Sequence, residues 1–227
     1  MGINLHKTEP LVPNRTASAD HVAQYGTTGY VLCVVAPRSN RPSWDRLFEA
    51  AAGQAGYVTT EQAAKAGYST HLLRKHILAG RVKRSQRGIY RLVHFPAAEH
   101  EDLVTAWLWS ARAGVISHQT ALSLHGLSDV LPTQVHLTLP ASWSRRRFRV
   151  PAGVELHHAD ITPVARSWFG SVPATSVSRT LSDCAKSGLS PDLLRQAAHQ
   201  ALRRGLVTRT DLADVETALN PFGGLTE

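Results

Sequence analysis

Hydrophobic positions recur with a helical period from Ser43 onward, after a stretch that sustains no period. The spacing is i, i+3, i+4, i+7, and the apolar stripe consists of Trp44, Leu47, Phe48 and Ala51. Ser43 is a favourable N-cap residue, and a glycine at position 53 or 56 ends the run. The pattern predicts an amphipathic helix that packs by one face.

Two shorter helices are predicted next, over residues 61–66 and 72–79. Each follows a pair of hydroxyl residues that can cap it and precedes a glycine that can end it: Thr59 or Thr60 with Gly67, and Ser69 or Thr70 with Gly80. The buried face of the second helix is predicted to consist of Leu72, Leu73, Ile77 and Leu78. Two short helices with a tight glycine-containing joint are typical of a helix-turn-helix.

The period then changes to two, over residues 81–86 and 89–93, with Arg87-Gly88 at the position of a hairpin turn. A short extended piece at residues 57–58 precedes the helix-turn-helix. Residues 43–96 are therefore predicted to form a winged helix-turn-helix domain.

The second half predicts a mixed α+β domain over residues 97–219, so that the fold class is α+β with the winged helix-turn-helix first. Helices are predicted at 101–113, 117–125, 176–185, 191–204 and 210–219, and strands at 135–139, 147–150 and 154–158. Residues 220–227 are predicted to be a tail, and residues 1–42 an irregular leader. The apolar stretch at 29–37 in that leader is either a strand or sequence upstream of a misassigned start.

The charge of the chain indicates what kind of partner it binds. The net charge is +8 with a sequence pI near 10, which favours a polyanion. Residues 71–91 contain no acidic residue. The candidate DNA contacts are Thr70, His71, Arg74 and Lys75 on the second helix of the helix-turn-helix, and Lys83, Arg84, Arg87 and Arg91 on the hairpin.

A second basic cluster consists of Arg145, Arg146, Arg147 and Arg149, between two predicted strands. It either extends the DNA footprint or blunts a sheet edge with charge, and the sequence favours neither interpretation.

The sequence gives little support for a metal, cofactor or catalytic site. His118 and His125 are seven residues apart on one predicted helix, and His157 and His158 should point to opposite faces of a strand, so no metal site and no cofactor are predicted. There is no GxxxxGK[ST] loop and no GxSxG elbow, and Asp183 is predicted to be a surface residue, so no catalytic residue is predicted.

Cys33 and Cys184 form no CxxC, and no apolar run approaches the ~20 residues that span a bilayer. A protein of the reducing cytoplasm without membrane contact is expected.

Several segments together resemble the AbiEi family of antitoxins. The resemblance begins with 56–63 (GYVTTEQA) and continues to 87–92 (RGIYRL), which are similar to that family's N-terminal winged domain. It extends to 116–122 (ISHQTAL), 124–127 (LHGL), 135–138 (VHLT) and 177–183 (VSRTLSD), which are similar to its C-terminal antitoxin domain. The similarity covers about residues 45–215, and the leader departs from the family pattern.

This resemblance implies a bacterial repressor of its own toxin-antitoxin operon. The winged domain would bind inverted repeats in its promoter, and the C-terminal domain would counter a nucleotidyltransferase-like toxin without a stable complex. Similar segments also precede a nuclease domain in some actinobacterial proteins, at a stretch like residues 202–208, and this chain is expected to stop before such a domain. A nuclease-related or protein-interaction module with a winged helix is the alternative.

Overall fold

A computed structural model describes residues 41–225, and these residues belong to one compact unit. The predicted leader and the apolar stretch at 29–37 lie outside the described residues, except for positions 41 and 42, and so does Cys33. The architecture of the described residues is mixed α+β, as the sequence predicts, and it contains two sheets. The division into domains at residue 96 stays a prediction.

The first sheet and its helices follow the predicted order. The elements are α1 (Trp44–Ala52), β1 (Tyr57–Thr59), α2 (Thr60–Lys65), α3 (Thr70–Leu78), β2 (Val82–Gln86) and β3 (Ile89–Leu92). The three strands are antiparallel in the order β1-β3-β2. Arg87 and Gly88 form the hairpin turn, where Gly88 has a positive φ of 80° that suits glycine. This arrangement is a helix-turn-helix followed by a wing.

Side-chain caps explain where these helices start. Ser43 Oγ accepts a hydrogen bond from the backbone N of Arg46 at 3.3 Å, and Ser69 Oγ accepts one from Leu72 N at 3.2 Å. Thr59 and Gln62 form a reciprocal capping box at the start of α2. Of the alternative caps that the sequence offers, the structure therefore uses Thr59 and Ser69.

The core of this first part forms where α1, α2 and α3 pack on the sheet. Leu47, Val58 and Leu73 are fully buried. Leu72 and Ile77 are half-buried, but the prediction that Leu78 is buried is wrong, because this side chain is 82% exposed. Leu78 lies five residues beyond Leu73, which turns it about 140° around the helix axis at 3.6 residues per turn.

The second part contains seven strands and helices before its helical end. These are α4 (Glu101–Trp109), β4 (Val115–Ile116), α5 (His118–Leu124), β5 (Val135–Leu139), β6 (Val154–His158), β7 (Arg166–Phe169) and β8 (Val172–Thr175). The sheet has the order β6-β5-β4-β8-β7. Strand β5 is parallel to β6 and β4 is parallel to β8, whereas the β4–β5 and β7–β8 pairs are antiparallel.

Three further helices follow in the described residues: α6 (Val177–Lys186), α7 (Pro191–Arg203) and α8 (Ala213–Leu219). Together with α5 they enclose an apolar core that includes Leu122, Leu181 and Leu194. Cys184 lies in this core, where burial raises the pKa of its thiol to about 12. No helix of the described residues is long and apolar enough to cross a membrane.

The second part departs from the predictions in three ways. Residues 147–150 alternate like a strand but form none, because this segment lies outside the sheet in the connection from β5 to β6. Strands β4, β7 and β8 were not predicted: β4 has two residues and all four residues of β8 are buried, so neither shows alternation. The last helix starts at residue 213 rather than 210, after a 3-10 turn that Thr208 and Asp211 cap.

The wing sheet is fixed to α4 by both apolar and polar contacts. Tyr57 and Ile89 share an apolar cluster with Leu103 of α4. The hydroxyl of Tyr57 donates to Glu101 Oε2 at 2.7 Å, and Arg91 donates to Glu101 Oε1 at 2.9 Å. The hydrogen bond from Tyr57 is the largest cause of the lowered pKa of Glu101. Burial is the largest cause of the raised pKa of Tyr57, which is about 12, and the hydrogen bond to Glu101 is the next largest.

Replacing Leu73 by Ala should lower the free energy of unfolding by about 2–5 kcal/mol, because a fully buried leucine leaves a cavity. Leu78→Ala on the same helix is the matched control and should change it by no more than about 0.5 kcal/mol. Urea denaturation measures both. Equal effects of the two substitutions would contradict the orientation of α3.

Glu101→Gln should destabilise the fold by about 1–2 kcal/mol, because it removes the charge that two donors share. The pKa of Glu101 is lowered in the fold, so this stabilisation is present above the ordinary value of 4.5 and is lost as the pH falls below it. Urea denaturation at pH 7 and pH 4 tests this, with the exposed Glu99→Gln as control. A difference that grows on acidification would contradict the assignment.

Candidate nucleic-acid interface

Helix α3 presents a polar face to solvent while Leu73 anchors it to the core. Thr70, His71, Arg74 and Lys75 are all exposed. Ser69 caps the helix, so Thr70 and His71 occupy its first turn, where unpaired backbone N–H groups and the helix dipole favour an anion. The four residues can therefore meet a nucleic acid from one helix.

Leu78 belongs to this exposed face, since it lies four residues after Arg74 and three after Lys75. The sequence predicts Leu78 on the buried face of the helix, and this prediction is wrong. Its helical phase relative to Leu73 was the signal that could have placed it outside. An exposed leucine on such a face can contact the methyl group of thymine.

The wing carries the next group of cations. Lys83 and Arg84 are exposed on β2, and Arg87 is exposed at the turn. The turn is held in place, because the backbone N and Oγ1 of Thr60 both donate to the carbonyl of Gly88, at 2.9 and 3.2 Å. The tip of the hairpin is thus tied to the first residue of α2.

The exposed cations of α3 and the wing have no acidic partner in the part of the chain that the structure describes. Among residues 41–225, no ion pair involves Arg74, Lys75, Lys83, Arg84 or Arg87. Five positive charges that no described carboxylate pairs with make this surface strongly attractive to a polyanion.

Arg91 differs from the other candidates. It is half-buried, pairs with Glu101, and donates to the carbonyls of Phe95 and Pro96 at 3.2 and 3.1 Å. Its guanidinium also lies 5.8 Å from the centre of the Tyr57 ring. These contacts hold Arg91 within the protein, so we do not propose it as a DNA contact.

The second basic cluster lies in the connection between β5 and β6, and its four arginines are exposed. Arg146 stacks on Trp143 at 4.4 Å, and Phe148 packs against Trp143 and Trp109. Arg147 and Arg149 line a cleft of about 680 Å³ together with Arg87. The fold therefore brings this cluster to the tip of the wing, although about 60 residues separate them in the chain.

The structure also gathers three histidines that the sequence analysis did not connect. His118, His136 and His157 have ring nitrogens within 4.8 Å of one another. The expectation of no metal site rested on His118 with His125 and on His157 with His158, pairs that are close together in the sequence. The three clustered residues come from α5, β5 and β6, so only strand pairing and helix docking could have connected them.

Asp183 also departs from its prediction. It is buried rather than on the surface, and its Oδ1 accepts a hydrogen bond from Arg179 Nε at 2.8 Å. Its other oxygen, Oδ2, has no hydrogen-bond partner among the described residues.

Comparison with known proteins finds a family match over the winged part. Residues 45–93 match the sequence model of the family described as "Transcriptional regulator, AbiEi antitoxin". This match confirms the predicted resemblance over those residues. The comparison with curated proteins found no match. Among solved structures, the chain is similar to the RV2827C protein from Mycobacterium tuberculosis at 15% identity, with 82% of this chain and 79% of that chain covered and a TM-score of 0.49.

Proposed function

We propose that this chain is a DNA-binding transcriptional regulator that represses its own toxin-antitoxin operon and acts as the antitoxin. The observation that carries the DNA-binding part is the set of five exposed cations on α3 and the wing, which no described acidic residue neutralises. The family match over residues 45–93 supports the regulatory role.

Helix α3 is proposed to enter the major groove. Arg74 is suited to bidentate hydrogen bonds with guanine, and Thr70 and His71 lie at the end of the helix that reaches base edges. Lys75 provides a point charge for a phosphate, and Leu78 offers an apolar contact for thymine. Base-specific and backbone contacts thus come from one helix.

The wing is proposed to follow the DNA backbone. Lys83 and Arg84 extend from β2, and Arg87 at the turn can reach a phosphate or a narrow minor groove. If about 4–6 cations per subunit neutralise phosphates, the logarithm of affinity should fall with log salt at roughly 0.9 times that number.

The finer part of the proposal concerns the operon. In it, the winged helix binds inverted repeats of the chain's own promoter in the cytoplasm, and the remaining α+β part counters a nucleotidyltransferase-like toxin without a stable complex. The segments 116–122, 124–127, 135–138 and 177–183, which resemble the C-terminal domain of AbiEi antitoxins, support this. If the neighbouring gene encodes a nucleotidyltransferase toxin, co-expression of this chain with it should restore growth, while neither protein retains the other on a column.

Fluorescence anisotropy tests DNA binding directly. The chain is titrated into a labelled promoter fragment and into a scrambled duplex at two salt concentrations. Tighter binding to the promoter with a steep salt dependence is expected. Weak and equal binding to both duplexes would contradict sequence-specific recognition.

Replacing Arg74 and Arg87 together by Ala should weaken promoter binding by about 100-fold or more, because the double variant loses a base contact and a backbone contact. Arg203→Ala is the control, since Arg203 is equally exposed but lies at the end of α7. Circular dichroism checks that each variant is folded. A folded double variant with the affinity of the wild type would refute the assignment.

Arg147→Ala with Arg149→Ala distinguishes the two interpretations of the second basic cluster. If both arginines contact phosphates beside Arg87, the salt slope should decrease by about 1.8, with the preference for the promoter unchanged. An unchanged slope would mean that the cluster only places charge next to the edge strand β6.

A further inference from the structure

We infer that His118, His136 and His157 form a binding site for one divalent transition-metal ion of the zinc class, with the carboxylate of Glu155 as the fourth ligand. Imidazole nitrogen and carboxylate oxygen are ligands that Zn²⁺ takes in four-coordinate sites. This site involves none of the residues proposed to contact DNA.

The register of two parallel strands places three of the ligands on one face. His136 on β5 pairs with Glu155 on β6, and Thr138 pairs with His157. Side chains two residues apart on a strand share a face, so His136 and Thr138 lie beside Glu155 and His157. His118, the first residue of α5, stacks on the His157 ring with a centroid distance of 3.6 Å.

The ring nitrogens already converge. Nδ1 of His136 and Nε2 of His157 are 3.0 Å apart, and only one proton fits between two such nitrogens. Zinc–nitrogen bonds of about 2.0–2.1 Å in a tetrahedron separate the ligand atoms by about 3.3 Å. A metal ion can therefore replace that proton with little movement of these two rings, while the stacked ring of His118 tilts towards the ion.

Glu155 spans the two strand histidines. Its Oε2 lies 3.8 Å from Nδ1 of His136, and its Oε1 lies 3.7 Å from Nε2 of His157. The side chain of Glu155 is 48% exposed, whereas that of His136 is 10% exposed. The carboxylate therefore stands at the solvent side of the cluster, where a hydrated ion can enter.

The surroundings of His118 hold it in position. Its Nδ1 lies 2.9 Å from Ser117 Oγ, which also accepts a hydrogen bond from Thr138 at 2.7 Å. That contact leaves Nε2 as the free ring nitrogen, and hydrogen bonds to the second nitrogen commonly orient metal-binding histidines. His118 also has a positive φ of 50°, a conformation that side-chain-bearing residues seldom adopt and that clusters at functional sites.

The electrostatics suit neutral imidazoles, the form that binds metals. Burial, and then the nearby His157, His136 and Arg179, lower the pKa of His118 to about 3. Burial also lowers the pKa of His136 and of His157. Glu155, Asp183 and His158 are the other titratable groups that act on the cluster, and the two carboxylates favour a cation there.

The experiment uses untagged protein that has been treated with a chelator and dialysed. Isothermal titration with Zn²⁺ should show one ion per chain, and Co²⁺ should give the visible absorption bands of a four-coordinate site. His157→Gln and His136→Gln should each weaken binding by about 100-fold or more, since even losing a hydrogen-bonding neighbour of a ligand costs 10–100-fold. Saturating Zn²⁺ should raise the melting temperature of the wild type by roughly 5 °C.

His158→Gln is the matched control, because His158 is the adjacent residue of β6, is exposed and is absent from the cluster. It should bind Zn²⁺ like the wild type. His157→Gln keeps the test interpretable if the substitution at the more buried His136 prevents folding. Absence of stoichiometric binding, unchanged binding by a folded His157→Gln variant, or equal loss in the control would overturn the inference. Since no DNA is present, these outcomes are independent of the DNA-binding proposal.

Discussion

The position of the wing depends on the side chain of Glu101. Tyr57 of β1 and Arg91 of β3 both donate to the carboxylate of Glu101, which is the first residue of α4. The contact lies beside an apolar cluster that contains Tyr57, Ile89 and Leu103, so polar and apolar contacts fix the same two elements. A carboxylate that accepts hydrogen bonds from two strongly polar donors fixes the orientation of the sheet relative to α4 more narrowly than apolar packing alone. Through it, the three-stranded sheet and α3 keep one position relative to the rest of the unit.

Exposed positive charge in this protein is unevenly compensated. Arg91, Arg179 and Arg195 pair with carboxylates, and each is at least partly covered. The cations of α3 and the wing stay exposed, and residues 71–91 contain no acidic residue that could pair with them locally. A surface that concentrates one sign of charge destabilises the isolated protein slightly, and it gains a favourable interaction only when a polyanion is bound. This contrast supports the division between arginines that hold the fold and arginines that are proposed to hold DNA.

Much of the first part could be predicted from sequence because its determinants are local. Caps such as Ser43 and Ser69 and the turn at Arg87-Gly88 act over a few residues. In the second part, β4 and β8 are short and buried, and they form because neighbouring strands pair with them. The histidine cluster likewise depends on the register of β5 against β6 and on the docking of α5, which are contacts between residues up to 39 positions apart. Local periodicity contains no information about such pairings.

The attachment of the wing tip to α2 has a consequence for how a duplex would be selected. Two hydrogen bonds from Thr60 to the carbonyl of Gly88 leave the hairpin little freedom to open or change its twist. A wing that is already ordered loses little conformational entropy on binding, but it also cannot adjust to an ill-fitting groove. Any adjustment then falls to the DNA, whose bending and groove width depend on its sequence. Base pairs that the protein never touches would thereby contribute to the choice of site.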